Sequence, residues 1–193
     1  METTAVSFTW NTGLVSKKAY DDHLTLYHGY IAKTNEITEK LAKEPDLASA
    51  NSTYSTYRAL KRGESFALNG MILHELYFQN LGQGETAIGS HTKQLIEKNY
   101  GSTENWKAEF TASALSARGW CIFAYEQRTQ TYRNIVMDSH DDGLVCGSYP
   151  ILVLDMYEHA YFIDYGTDKA SYIKKFLDTV FWDIVERRCA RLV

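Results

Sequence analysis

The stretch Leu152-Val153-Leu154-Asp155-Met156-Tyr157-Glu158-His159-Ala160-Tyr161 carries an apolar run into a carboxylate and, four residues on, an imidazole. The run before Asp155 has the character of a buried strand, and the residues after it those of a helical turn. Residues four apart share one side of a helix, so Asp155 and His159 can converge on one ion where strand gives way to helix. The pair alone fits a helix N-cap followed by a partly buried histidine better than it fits a metal site. The rest of the chain has to decide.

Upstream, residues 120–125, 131–137 and 149–154 are rich in aromatic and β-branched side chains, as strands are, with 126 to 130 as a hairpin turn. Earlier the apolar period is helical. Leu24, Tyr27, Tyr30, Ile31 and Ile37 mark a helix from 16 to about 41, and Tyr57, Leu60, Phe66, Leu68, Ile72, Leu73 and Leu76 mark one from 52 to 81. The break around Pro45 makes them an antiparallel hairpin. Short helices follow at 90–99 and 105–116, and an amphipathic segment at 170–188 ends the pattern. The glycine-rich stretch around Gly82 and Gly84 is the expected boundary. It divides an N-terminal α-hairpin domain, 1–84, from a C-terminal domain, 85–193, of helices around a small three-stranded antiparallel sheet. The class is α+β.

Composition narrows the function. Of 193 residues, 45% are hydrophobic and 23% charged, which excludes a largely disordered chain. A net charge of −4 supplies no basic field for nucleic acid or anionic lipid, so neither is an expected partner. No apolar run reaches the length of a membrane span and the start lacks the pattern of a signal peptide, so a cytoplasmic location is expected. Cys121, Cys146 and Cys189 are widely spaced and odd in number, as reduced thiols are, and the first two are expected to be buried. No glycine-rich phosphate loop follows a strand, and no nucleophile arrangement suggests a hydrolase.

Six histidines stand at 23, 28, 74, 91, 140 and 159. His23 lies on the first predicted helix and His74 on the second, and facing helices of a hairpin can bring such residues into one metal site.

At these residues the chain resembles a known family. Leu154-Asp155-x-Tyr157-Glu158-His159-Ala160-Tyr161 is similar to the LDVWEHAYY signature of the iron/manganese superoxide dismutases. The likeness extends to 66–78, with His74 and Tyr77, to Gly119-Trp120, and to 150–175, where Lys169-x-x-Tyr172 stands for the usual Arg-Pro-Asp-Tyr. The resemblance implies one iron or manganese ion per subunit held by His23, His74, Asp155 and His159. It implies superoxide as substrate and a homodimer or dimer of dimers with Glu158 at the interface. Three imidazoles and one carboxylate suit either metal, and zinc too, which lacks the second oxidation state that dismutation needs.

The resemblance also implies outer roles. Tyr30 matches the gateway tyrosine, though it follows His23 by seven residues where the family has eight. A glutamine usually holds the metal's solvent. One of its two usual positions is Gly70 here and the other is His140, for which a loop histidine beside acids is the plain alternative. Either Tyr27 or His28 replaces a supporting histidine. Tyr157 and Ile72 fall at wall positions where the family has tryptophans, while Trp120 matches the tryptophan that opens the family's sheet and Tyr77 the tyrosine three residues after the second-helix ligand. Glu158 and Tyr161 match an inter-subunit bridge, and Lys169 is either a cation drawing in the anionic substrate or a solvated lysine. The leading expectation is a superoxide dismutase. The second is a non-catalytic member that keeps its ion for structure, storage or partner binding.

Overall fold

The computed structural model of the protein describes residues 2–43, 45–82 and 86–192. The expected boundary at 84 and 85 lies outside the described residues.

Ser16 caps the first helix, α1 (Lys17–Ala42), by accepting from the Ala19 amide at 3.3 Å. The second, α2 (Thr56–Asn80), begins four residues later than its apolar pattern predicts. The Asn51 side chain accepts from the amides of Thr53 and Tyr54, folding 51–54 into a turn, and Ser55 then caps the helix through Arg58. Opposed pairs run in reverse order along the two helices: Ile37 meets Gly63, Tyr30 meets Gly70, Tyr27 meets Glu75 and His23 meets Phe78. That order is the antiparallel hairpin expected.

Helices α3 (Ser90–Tyr100) and α4 (Thr103–Ser116) lead to the sheet, whose strands are β1 (Trp120–Glu126), β2 (Thr131–Met137) and β3 (Ser148–Asp155). The order is β2-β1-β3, antiparallel throughout, which bears out the α+β class. The Glu126 carboxylate accepts from the amides of Arg128 and Thr129 and closes the β1–β2 hairpin. Pro150 is tolerated because β3 is an edge strand. Register sets the function of this sheet: Trp120 pairs with Met137 on one side and with Asp155 on the other, so the indole and the carboxylate share one end.

The expected single segment over 170–188 is two helices. After α5 (Glu158–Tyr165), α6 (Lys169–Thr179) stops at extended Val180, and α7 (Trp182–Cys189) starts again. The Phe181 amide turns away to donate to the Asn80 carbonyl at 2.9 Å. Val180 and Trp182 are both buried, so the apolar pattern runs unbroken through a bend that tertiary bonding makes. A second correction concerns the cysteines. Cys121 and Cys189 are buried, but Cys146 is exposed, because it precedes β3 in a loop. Among the described residues no helix is long and apolar enough to cross a membrane.

The bend lets α7 lock the back of the site. The Arg188 guanidinium donates to the carbonyls of Ile151 and Leu76 and to the side chains of Asn80 and Gln79, at 2.7 to 3.1 Å. Asn80 in turn donates to the Val153 carbonyl at 2.7 Å. Burial lowers the Arg188 pKa to about 10, and these acceptors compensate the charge. Arg188→Ala strands several buried acceptors at once. We expect it to lower the unfolding free energy by about 3 kcal/mol, read as an earlier denaturant midpoint at unchanged slope.

Candidate metal centre

His23 lies on α1, His74 on α2, Asp155 at the last position of β3 and His159 in the first turn of α5. One ligand atom from each lies within 4.8 Å of every other. The Asp155 Oδ2 atom is the hub, 3.1 Å from His23 Nε2, 3.2 Å from His159 Nε2 and 3.8 Å from His74 Nε2. Asp155 and His159 converge at the junction of β3 and α5, where strand gives way to helix as expected. The Tyr157 amide steadies that junction by donating to Asp155 Oδ1 at 2.9 Å.

The donor set fits a divalent or trivalent ion. His74 Nδ1 donates to the Gly70 carbonyl at 2.6 Å, which leaves the Nε2 lone pair facing inward. That Nε2 is buried and has no hydrogen-bond partner. Such an atom is costly unless an ion takes the lone pair. Burial also pushes the His23 pKa down and that of His74 to about 3, which keeps both imidazoles neutral as ligands must be. Burial alone would raise the pKa of Asp155, but hydrogen bonds from His159 and His23 outweigh it and hold the carboxyl below the usual carboxylate range.

A second layer supports the first. Trp120 Nε1 donates to His140 Nδ1 at 2.9 Å, and His140 Nε2 stands 2.6 Å from the Tyr30 hydroxyl. An indole N–H can only donate, so the His140 proton sits on Nε2 and is given to Tyr30. The Tyr30 hydrogen is then free to be donated onward. His140 is buried, its pKa pushed down to about 4 by that burial. Its carbonyl accepts from Asn69 on α2 at 2.9 Å, and Phe66 and Tyr157 pack against its ring. Tyr30 reaches it because position 70 lacks a side chain: a Cβ there would stand 2.8 Å from the Tyr30 ring.

Tyr77 is wholly buried beside His23. It donates to the Tyr172 hydroxyl at 3.1 Å, since Tyr172 spends its own proton on the Asp155 carbonyl at 3.0 Å. Tyr157 stacks on His159, and Trp120 lies edge-on to His74. Tyr27 is buried, whereas His28 is exposed. Ile72 is 39% exposed. Glu158 is exposed, Tyr161 is buried, and the Lys169 ammonium sits 5.8 Å over the Tyr161 ring. Sequence reading gave no site role to Tyr172, Asn69 or Glu75. Tyr172 stood inside the quoted resemblance, but no local pattern marked Asn69 or Glu75.

Three imidazoles and a carboxylate gathered from two facing helices, a strand end and a third helix form a cluster suited to binding one metal ion. Residues 88–188 match the family model described as iron/manganese superoxide dismutases, C-terminal domain. The chain is 39% identical over 185 residues to a superoxide dismutase (Fe) of Cupriavidus metallidurans, spanning 94% of this chain and 91% of that one. It is 37% identical over 163 residues to superoxide dismutase (Mn) 1 of Halobacterium salinarum, spanning 83% and 79%. A superoxide dismutase (Fe) of Aquifex aeolicus is 37% identical over 178 residues, spanning 90% and 84%. The chain belongs to the iron/manganese superoxide dismutase family.

The pKa shifts set a pH dependence for metal-stripped protein. Folded, His74 and His140 stay neutral down to about 3 and about 4; unfolded, they take up protons near 6.5. The unfolded state therefore binds more protons throughout that window, and stability falls as pH drops from 6.5 toward 4. Urea titrations of the metal-free chain at successive pH values check this, and a flat midpoint across the window would contradict it.

Proposed function

We propose that the chain is a superoxide dismutase in which His23, His74, Asp155 and His159 hold one iron or manganese ion. A bound ion would supply one-electron chemistry between its trivalent and divalent states, by which one superoxide would be oxidised to dioxygen and a second, taking up two protons, reduced to hydrogen peroxide. The observation that carries the reading is the mutual approach of those four ligand atoms within 4.8 Å.

The other residues do identifiable work. Asp155 brings the one negative charge among the ligands, which favours the trivalent state. Tyr77 and Tyr172 hold its backbone from behind. Trp120, His140 and Tyr30 form a one-way donor chain that ends on the Tyr30 hydroxyl, the group we assign to hand a proton to the reduced product. Because Trp120 occupies His140 Nδ1, His140 acts as a neutral donor to Tyr30 rather than as a cationic acid. Tyr157 and Trp120 wall the pocket, and Tyr27 supports His23 from one turn along α1. Lys169 contributes local positive potential for an anionic substrate.

The reading extends to a homodimer or dimer of dimers with Glu158 at the interface, where it would bond to the ligand histidine across the contact. Support comes from α5. His159 is 28% exposed while the other ligands are buried, and Phe162 and Ile163 beside it are each half-exposed. Covering that face completes the enclosure of the ligand. A cytoplasmic, antioxidant role fits three unpaired cysteines. The halves 1–84 and 85–193 serve as two domains that each supply two ligands.

Purified protein loaded in turn with iron and with manganese, and assayed for superoxide removal, tests the function. At least one form should be active, and near-zero activity of both at full occupancy would overturn the reading in favour of a non-catalytic metal protein. Substitutions separate the layers. His23→Ala should abolish metal retention, while His140→Ala should keep the metal and lose roughly tenfold or more in activity. An unchanged rate in the His140 variant would remove it from the mechanism.

A further inference from the structure

Residues 2–15 form no helix or strand, yet they are tied to three of the four elements that carry ligands. On α1, which bears His23, the Thr3 amide donates to Asn35 Oδ1 and the Asn35 side chain donates back to the Thr3 carbonyl, both at 2.8 Å. The Val6 amide donates to the Tyr27 hydroxyl at 2.9 Å. Tyr27 passes its own proton to Glu75 Oε1 at 2.8 Å, and Glu75 is the residue after His74 on α2. Phe8 packs edge-on to Tyr27 and against Phe78, whose ring lies 5.1 Å from that of His23. On α5, which bears His159, the Tyr165 hydroxyl donates to the Leu14 carbonyl at 2.5 Å, and Asp164 accepts from the Ser16 amide at 2.7 Å.

Each tie alone is ordinary, but their distribution is not. The α1–α2 hairpin needs no side-chain hydrogen bond to hold its apolar seam, and a buried phenol with both its donor and acceptor satisfied fixes the relative height of the two helices. Tyr27 lies one turn beyond His23 and Glu75 one step beyond His74, so the bond acts within a turn of both ligands. The direction of the chain is also fixed: a backbone N–H can only donate, so the Tyr27 oxygen accepts from Val6 and its proton goes to Glu75.

We propose that the N-terminal strap is a positioning element of the metal centre, acting through Val6, Tyr27 and Glu75 to set the spacing of His23 and His74. This rests on the metal-centre reading above. Glu75 is here a positioning residue: it touches neither ion nor substrate. Its required property is an acceptor oxygen for Tyr27, which glutamine also supplies.

The test uses the full-length chain loaded with manganese and, separately, with iron. Loss of manganese to excess EDTA is timed well below the melting temperature, and the iron(III) form is examined by electron paramagnetic resonance. Val6→Pro removes the strap's backbone donor, Tyr27→Phe deletes the relay, and Glu75→Ala deletes the acceptor. All three should release metal about tenfold faster than wild type and alter the resonance, while Glu75→Gln should match wild type in both. If the variants lose thermal stability yet release metal at the wild-type rate with an unchanged resonance, the strap is merely structural and the proposal fails. Should Tyr27→Phe fail to fold, Val6→Pro decides the outcome, since it leaves every core side chain in place. A wild-type chain that retains neither metal would overturn the underlying functional reading and this proposal together, whereas wild-type retention with unaffected variants overturns the strap's role alone.

Discussion

The Asp155 carboxylate has no exposed surface. A charge so placed is expensive unless its whole surroundings compensate it, and most of this molecule can be read as that compensation. Its Oδ2 meets three imidazoles, its Oδ1 accepts the Tyr157 amide, and its carbonyl accepts the Tyr172 hydroxyl. The sheet contributes register, because β1 sets Trp120 directly opposite Asp155. The helices contribute the imidazoles, and α7 reaches back through Arg188 and Asn80 to pin β3 two and four residues ahead of the carboxylate.

The departures from the family pattern form one rearrangement. Gly70 offers no amide side chain, and the space it leaves is filled by the Tyr30 ring. Tyr30 reaches His140 although α1 is a residue shorter between ligand and tyrosine. An imidazole held by Trp120 has a single proton to give, and Tyr30 receives it. Asn69, next to Gly70, holds the His140 backbone from the same turn of α2. Position 70 and position 140 are thus coupled through Tyr30, and neither can be judged by itself.

How much of this could be read from sequence follows the range of the interactions. The sheet, the hairpin and the clustering of His23, His74, Asp155 and His159 are legible in the sequence, because hydrophobic period and a long ordered resemblance are distributed signals. The break at Val180 was not, since it depends on a bond to Asn80 on a different element. Cys146 lies exposed because apolar neighbours in sequence do not bury a loop. Glu75 and Asn69 left no trace: a glutamate and an asparagine on a half-polar helix are ordinary until the partner across the groove is known.

His23 and Asp155 are separated by 132 positions along the chain. Closing so long a loop is entropically costly and kinetically late. During synthesis the hairpin emerges first, with two of the imidazoles but without Asp155, a pair too weakly donating to retain a hard trivalent cation. Only after β3 has joined the sheet does the carboxylate arrive. Cofactor capture is therefore one of the last events in maturation, and a ribosome-bound nascent chain stalled before β3 has no completed pocket to fill.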